Sequence, residues 1–124
     1  MGELKLSEIT SVMLGVRDLN SSLEFYRDKL GLKVKMQKPQ LALLDAGTVT
    51  LGLSPGHVRV SPQVNGATEI VFRVENVRAA RQALIERGIS FMNEPRQVTP
   101  VDWASHFRDP DGHLLSIFGP QGRV

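Results

Sequence analysis

The chain has no cysteine. That absence removes disulfides, thiolate metal sites and a cysteine nucleophile together. It is compatible with the cytoplasm, which is the expected location. Long apolar runs are missing too: no stretch approaches the roughly 18 unbroken apolar residues a membrane helix requires, so no membrane partner is expected. The opening MGELKLSEIT is charged and lacks the apolar core of a secretory leader. Charge of one sign is scarce, with 15 Lys+Arg against 13 Asp+Glu leaving a net +2. So small an excess cannot make the broad positive face of a non-specific DNA binder, and no nucleic-acid partner is expected. The cluster Lys33, Lys35 and Lys38 has Lys33 and Lys35 on one side of an expected strand, where they read as a solvated, edge-protecting face.

What is present describes one domain. At 124 residues, 41% hydrophobic and 23% charged, the chain can bury a core and is short for two independent ones. Its two halves repeat. With an offset of 58 residues, Val12 meets Ile70, Leu14 meets Phe72 and Val16 meets Val74. Asp18 then meets Asn76, and Leu19 meets Val77. Each half shows period-2 apolar alternation, a capping residue, an amphipathic stretch, a glycine and further alternating runs. We read residues 1–124 as a single domain, module one covering about 9–54 and module two about 67–119.

In module one a helix is expected to begin near Asn20 or Ser21, with Leu19, Leu23, Tyr26 and Leu30 on one stripe and Gly31 at its end. In module two Asn76 caps, Val77, Ala80 and Leu84 form the stripe, and Gly88 stops the helix. The strands after the helices are LKVKM, LALLDA and TVTLGLS, then ISFM, WASHF and HLLSIF. Asp109-Pro110-Asp111-Gly112 reads as a turn between the last two. Neither helix stripe is wide enough for burial on all sides, so each helix covers one sheet face and leaves the other open.

These features, in this order, resemble the vicinal-oxygen-chelate superfamily, the glyoxalase, bleomycin-resistance and dioxygenase proteins. The residues that carry the resemblance are Val16-Arg17-Asp18-Leu19, Ser22, Phe25-Tyr26 and Leu30-Gly31-Leu32 in the first module. In the second they are Arg87-Gly88-Ile89, Phe107, Asp109-Pro110-Asp111-Gly112 and Leu114 to Phe118. The resemblance runs from about Ile9 to Gly119. It implies an α+β fold of two βαβββ modules forming a curved mixed sheet around a cleft, commonly in a homodimer with the site at or near the interface.

In metal-dependent relatives four strand positions carry His or Glu ligands, and here they map to Ser11, Gly52, Glu69 and Ser116. Only Glu69 is a strong ligand, whereas a transition metal normally wants at least three. The resemblance therefore implies loss of the metal site. No cofactor is expected, and a divalent metal enters only if that inference is wrong. Of the histidines, His57 lies in the loop after the fourth strand, while His106 and His113 bracket the turn. All three read as surface or structural residues.

Strand parity turns Met13, Thr50, Glu69 and Val71 to the open face. If the turn is 109–112, Phe107 pairs with Leu114 and Ser105 with Ser116. Trp103, Ser105 and Phe107 then join Leu114, Ser116 and Phe118 there, and His106 points away. A one-residue bulge would reverse that assignment. The expected lining is apolar and aromatic with one acid, as a small-molecule pocket requires. Glu69 would pair with a cationic ligand, act as a general base beside a carbonyl, or simply reach solvent or pair with an arginine such as Arg73. Two functions follow: a metal-free protein that binds or sequesters an organic molecule, or a lyase, isomerase or dioxygenase acting on an oxygen-rich small substrate. A structural dimer with the aromatic lining as interface is a third.

Overall fold

The computed structural model describes residues 9–56 and 68–122. His57 and most of the Gly/Pro-rich loop around it lie outside the described residues. Strand β1 (Ser11–Gly15) leads into helix α1 (Leu19–Leu23), which continues as a π-helical segment over Glu24–Lys29. Strands β2 (Lys33–Lys38), β3 (Leu41–Ala46) and β4 (Val49–Ser54) complete the first module. The second comprises β5 (Glu69–Arg73), α2 (Val77–Glu86), β6 (Arg96–Gln97), β7 (Trp103–Arg108) and β8 (Leu114–Gly119). Each module forms a four-stranded mixed sheet, ordered β1-β4-β3-β2 and β5-β8-β7-β6. The first strand of each module runs parallel to its last; the other pairs are antiparallel. The fold is the α+β, twice-repeated βαβββ architecture.

Helix starts differ between the modules. Asp18, rather than Asn20 or Ser21, caps α1: its carboxylate accepts from the Asn20 N–H at 3.0 Å and the Ser21 hydroxyl at 2.9 Å. The Ser21 hydroxyl holds that carboxyl below its ordinary range. In α2 the cap is Asn76, as the sequence indicates, accepting from the Ala79 N–H at 2.9 Å. Both helices leave through left-handed glycines, Gly31 at φ +82° and Gly88 at φ +93°.

The π-helical segment is new information. The Leu30 N–H reaches back five residues to the Phe25 carbonyl at 3.0 Å. This wider turn brings both of two adjacent aromatics, Phe25 and Tyr26, into the interior, where a narrow period-3.6 stripe would take only one of them.

Parity holds for the four strands nearest the helices. Leu14, Val16, Leu51, Leu53, Leu115 and Ile117 are buried, with Val12, Ile70, Phe72 and Val74 packed against them. It fails in β7. The turn closes with the Asp109 N–H donating to the His113 carbonyl at 3.0 Å, so it is one residue longer than Asp109 to Gly112. Phe107 consequently pairs with Leu115, Ser105 with Ile117 and His106 with Ser116. A shift of one residue exchanges the two faces of a strand. Phe107 is a fully buried core residue, Ser105 is buried, and Trp103 packs against the core rather than lining the open face. His106 takes the open face instead. The expected strand ISFM is also absent: only Phe91 bridges β7, opposite Phe107, and the outer strand is the short β6.

The acidic turn also joins the modules. Asp109 is buried and accepts from the Tyr26 hydroxyl at 2.7 Å, and buried Asp111 accepts from the Arg17 N–H at 2.8 Å and the Ser22 hydroxyl at 3.3 Å. His113 Nε2 donates to the Gly15 carbonyl at 2.8 Å. Burial first, then the Asp109 charge, pushes the Tyr26 phenol far above its ordinary value.

Candidate functional site

The uncovered faces of the two sheets carry different chemistry. On the first sheet, Met13 pairs with Gly52 and Gly52 with Leu43, while Thr50 pairs with Ser11 and Asp45. A Cβ at Gly52 would collide with the Met13 thioether and sit 3.3 Å from Leu43 Cδ2. The missing side chain is therefore the space that Met13 fills. A register shift between Val34 and Met36 marks a bulge at Lys35, and such bulges re-aim side chains. Lys35 Nζ donates to the Thr50 hydroxyl at 2.8 Å. Lys35 thus reaches the open face, beyond the edge-protecting role its alternation suggested.

On the second sheet, the register sets Glu69 and Leu114 side by side, then Val71, Ser116 and His106, then Arg73, Phe118, Ala104 and Arg96. Glu69 reaches diagonally to His106, with Oε2 at 3.2 Å from Nε2. The other ring nitrogen, Nδ1, lies 3.2 Å from Asn93 Oδ1, which also accepts from the His106 N–H at 2.9 Å. Asn93 is itself fixed, because its Nδ2 donates to the Glu94 carbonyl at 2.7 Å. Asn93 Oδ1 can only accept, so Nδ1 is the ring nitrogen placed to donate to it. The middle of this face has small side chains, Ser116 and Ala104, both buried. Leu114, Phe118 and the exposed Val71 stand around them.

The structure thus places Met13 and Thr50 together on the first open face, and Glu69, Val71, Leu114, Ser116 and Phe118 together on the second. Trp103 and Phe107 belong to the core. Sequence reasoning missed His106, Asn93 and Lys35. Only the length of the turn separates His106 from the assignment made for it, and nothing in the local sequence of Asn93 marks it.

The residues at the four relatives' ligand positions do not fit a metal. Ser11 is exposed, Gly52 has no donor and gives its space to Met13, Ser116 offers only a hydroxyl, and the Glu69 carboxylate is engaged by His106. Among the described residues no cluster of three His, Cys, Asp or Glu has metal-binding proximity. Nor is any helix there long and apolar enough to cross a membrane.

Comparison with known proteins agrees with this geometry. Residues 8–117 match the family model of the Glyoxalase/Bleomycin resistance protein/Dioxygenase superfamily, and the chain belongs to that family. It is 29% identical over 126 residues to the uncharacterized protein YraH of Bacillus subtilis, covering 90% of this chain and 97% of that protein. It is 30% identical over 117 residues to glutathione transferase FosA of Serratia marcescens, covering 90% of this chain and 80% of that one. The crystal structure of TnmS3, an antibiotic binding protein from Streptomyces sp. CB03234, superposes with a TM-score of 0.79 at 21% identity, over 95% of this chain and 99% of its own. At that identity the structural likeness speaks for the fold alone.

Proposed function

We propose that this protein binds a small organic molecule on its open sheet faces without a metal ion, and works as a homodimer in the cytoplasm. The observation that carries the reading is the fate of the four relatives' ligand positions. Met13 fills the space at Gly52, and His106 Nε2 lies 3.2 Å from Glu69 Oε2, which supports reading these positions as packing and a histidine–carboxylate contact in place of a metal site. What remains exposed is an apolar floor with a few polar groups, the composition of a small-molecule site. TnmS3, an antibiotic binding protein, has the same fold, so the fold itself admits a binding role. The sheet edges support the dimer. Among the described residues strands β1 and β5 each end a sheet, and exposed edges are normally paired or covered. Pairing β1 of one copy with β5 of another would bring the Met13 face and the Glu69 face around one cleft.

A second reading is enzymatic. Glu69 is held through Oε2, and its other oxygen would serve as the base that removes a proton next to a carbonyl. FosA, named a transferase, shows that relatives include enzymes.

Protein purified without chelator should contain far less than one transition-metal ion per chain by mass spectrometry of its elements. A stoichiometric metal would end the metal-free reading. Titration with 2-naphthol, followed by the ligand's own fluorescence, should saturate; absence of saturation would count against the site. Trp103 is not the reporter of choice, because it packs against the core. Sedimentation should give twice the chain mass, and a monomer would remove the paired-edge cleft. Under the enzymatic reading Glu69→Gln abolishes turnover of any substrate found.

A further inference from the structure

The charge pattern of the second open face selects the ligand class, an inference that rests on the binding reading above. Arg73, Phe118, Ala104 and Arg96 lie in one row across the sheet, on four neighbouring strands. Two guanidinium groups therefore begin at the two ends of a row whose middle is an aromatic ring and a buried methyl. Arg96 is exposed. Arg73 is also exposed, and its nearest carboxylate, Asp102, stands 3.8 Å away, a distance that leaves the guanidinium donors largely available. Arg108 has the same face by register but turns to the loop, donating to the Gly112 carbonyl at 2.8 Å. The one acid in these rows is Glu69, and His106 already lies against its Oε2. Glu94, beside Asn93, turns to Arg81 at 3.4 Å.

We propose that this face takes a planar, acidic, hydroxylated aromatic molecule and rejects a cationic one. The ring lies against Phe118, Leu114 and the exposed Val71. An anionic oxygen group of the ligand meets the Arg73–Arg96 row, whose forked donors suit a carboxylate. A ligand hydroxyl donates to the Glu69 oxygen that His106 leaves open. A ligand ammonium would find one Glu69 oxygen covered by His106 and would lie near two guanidinium groups. Among the described residues only one of these, Arg73, has a carboxylate close by, Asp102 at 3.8 Å, so the row favours an anion.

Three matched probes test this: 6-hydroxy-2-naphthoate, neutral 2-naphthol and 2-naphthylmethylammonium, each titrated into the full chain and read by ligand fluorescence and calorimetry. The naphthoate should bind roughly tenfold more tightly than the ammonium, a margin suited to exposed charges and shrinking as salt is added. In the double variant Arg73→Gln/Arg96→Gln, with far-UV circular dichroism checking the fold, the ratio of naphthoate to naphthol affinity should fall toward one. Arg27→Gln, a change of like charge on the π-helical segment of the first module, should leave that ratio where it is. Equal or tighter binding of the ammonium, or an unchanged ratio in the double variant, overturns the inference while leaving the binding reading intact. Binding of none of the three probes sinks both.

Discussion

The two modules share one plan but use their open faces in opposite ways. In the first, the strand positions facing away from the helix hold Met13, Gly52 and Leu43 in apolar contact, with Lys35 reaching in at the edge. In the second, the equivalent face holds a carboxylate, an imidazole fixed by an amide, and a row with arginines at both ends. The covered faces have stayed alike, since both must satisfy the same packing against one helix. The open faces have not. Duplication thus preserves parity, and chemistry diverges on whichever side packing leaves unconstrained.

The largest test of this division lies in the β7–β8 hairpin, where Phe107 on β7 and Phe118 on β8 fall on opposite faces. Phe107 is wholly buried against Phe91 and Phe25, with ring centroids 5.0 and 6.3 Å away. Phe107→Ala should cost about 3–5 kcal/mol in urea denaturation. Phe118→Ala, on the half-buried open face, should cost clearly less. Equal losses would mean that the two faces are not distinct. Second in size is the link between modules. Tyr26→Phe removes the only side-chain donor to Asp109 among the described contacts, and should cost about 1–3 kcal/mol. The pH signature has a definite sign. A phenol whose folded pKa is raised gives stability that is fully present below its ordinary value of 10.0 and is lost as pH rises above it. Wild type should therefore lose stability in alkali faster than Tyr26→Phe does. Parallel alkaline curves would show that the phenol is not held neutral by the fold.

Within the open faces, Gly52 and Ser116 stand at corresponding positions, yet adding or removing one carbon-scale group should matter only in the first. Gly52→Ala drives a Cβ into Met13 and should cost about 1–3 kcal/mol, with partial recovery when Met13→Ala is added. Ser116→Ala keeps the small volume that its neighbours cover and should change stability less. If Gly52→Ala were neutral, the space would not be Met13's. The position would then be open to a ligand.

Much of this was legible before coordinates. Strands β1, β4, β5 and β8, the Asn76 cap and the two glycine exits follow from alternation, stripe and punctuation, all of them local signals. The misplacement of Phe107, Trp103 and His106 has a single physical origin. Facing in a hairpin depends on the parity of the turn, and the Asp109 side chain extends this one by accepting from both the Asp111 and His113 N–H groups, at 2.9 and 2.8 Å. The Asp109-Pro110-Asp111-Gly112 turn is the signal the sequence carries, because a carboxylate that becomes buried there must find donors. Lys35 was misjudged for a related reason, since a bulge breaks the alternation on which the reading depends. Asn93 acts through tertiary hydrogen bonds that no local pattern encodes.

The helix caps give the smallest and cleanest contrast between the modules. Asp18 and Asn76 occupy corresponding positions and both accept from first-turn N–H groups, but only Asp18 titrates. Asn76→Ala should cost about 1 kcal/mol, and that cost should not depend on pH. Asp18→Ala should also destabilise at neutral pH. Its carboxyl is held below the ordinary 3.8 by the Ser21 hydroxyl and the Ser21 and Asn20 N–H groups. A depressed carboxyl gives stability that is present above its ordinary value and disappears as pH falls through the folded one. Subtracting variant from wild-type stability across an acid series cancels the other carboxylates. The Asp18 difference should then shrink in acid while the Asn76 difference stays level. A flat Asp18 difference would mean that this cap acts by shape rather than by charge, erasing the distinction between the two helix starts.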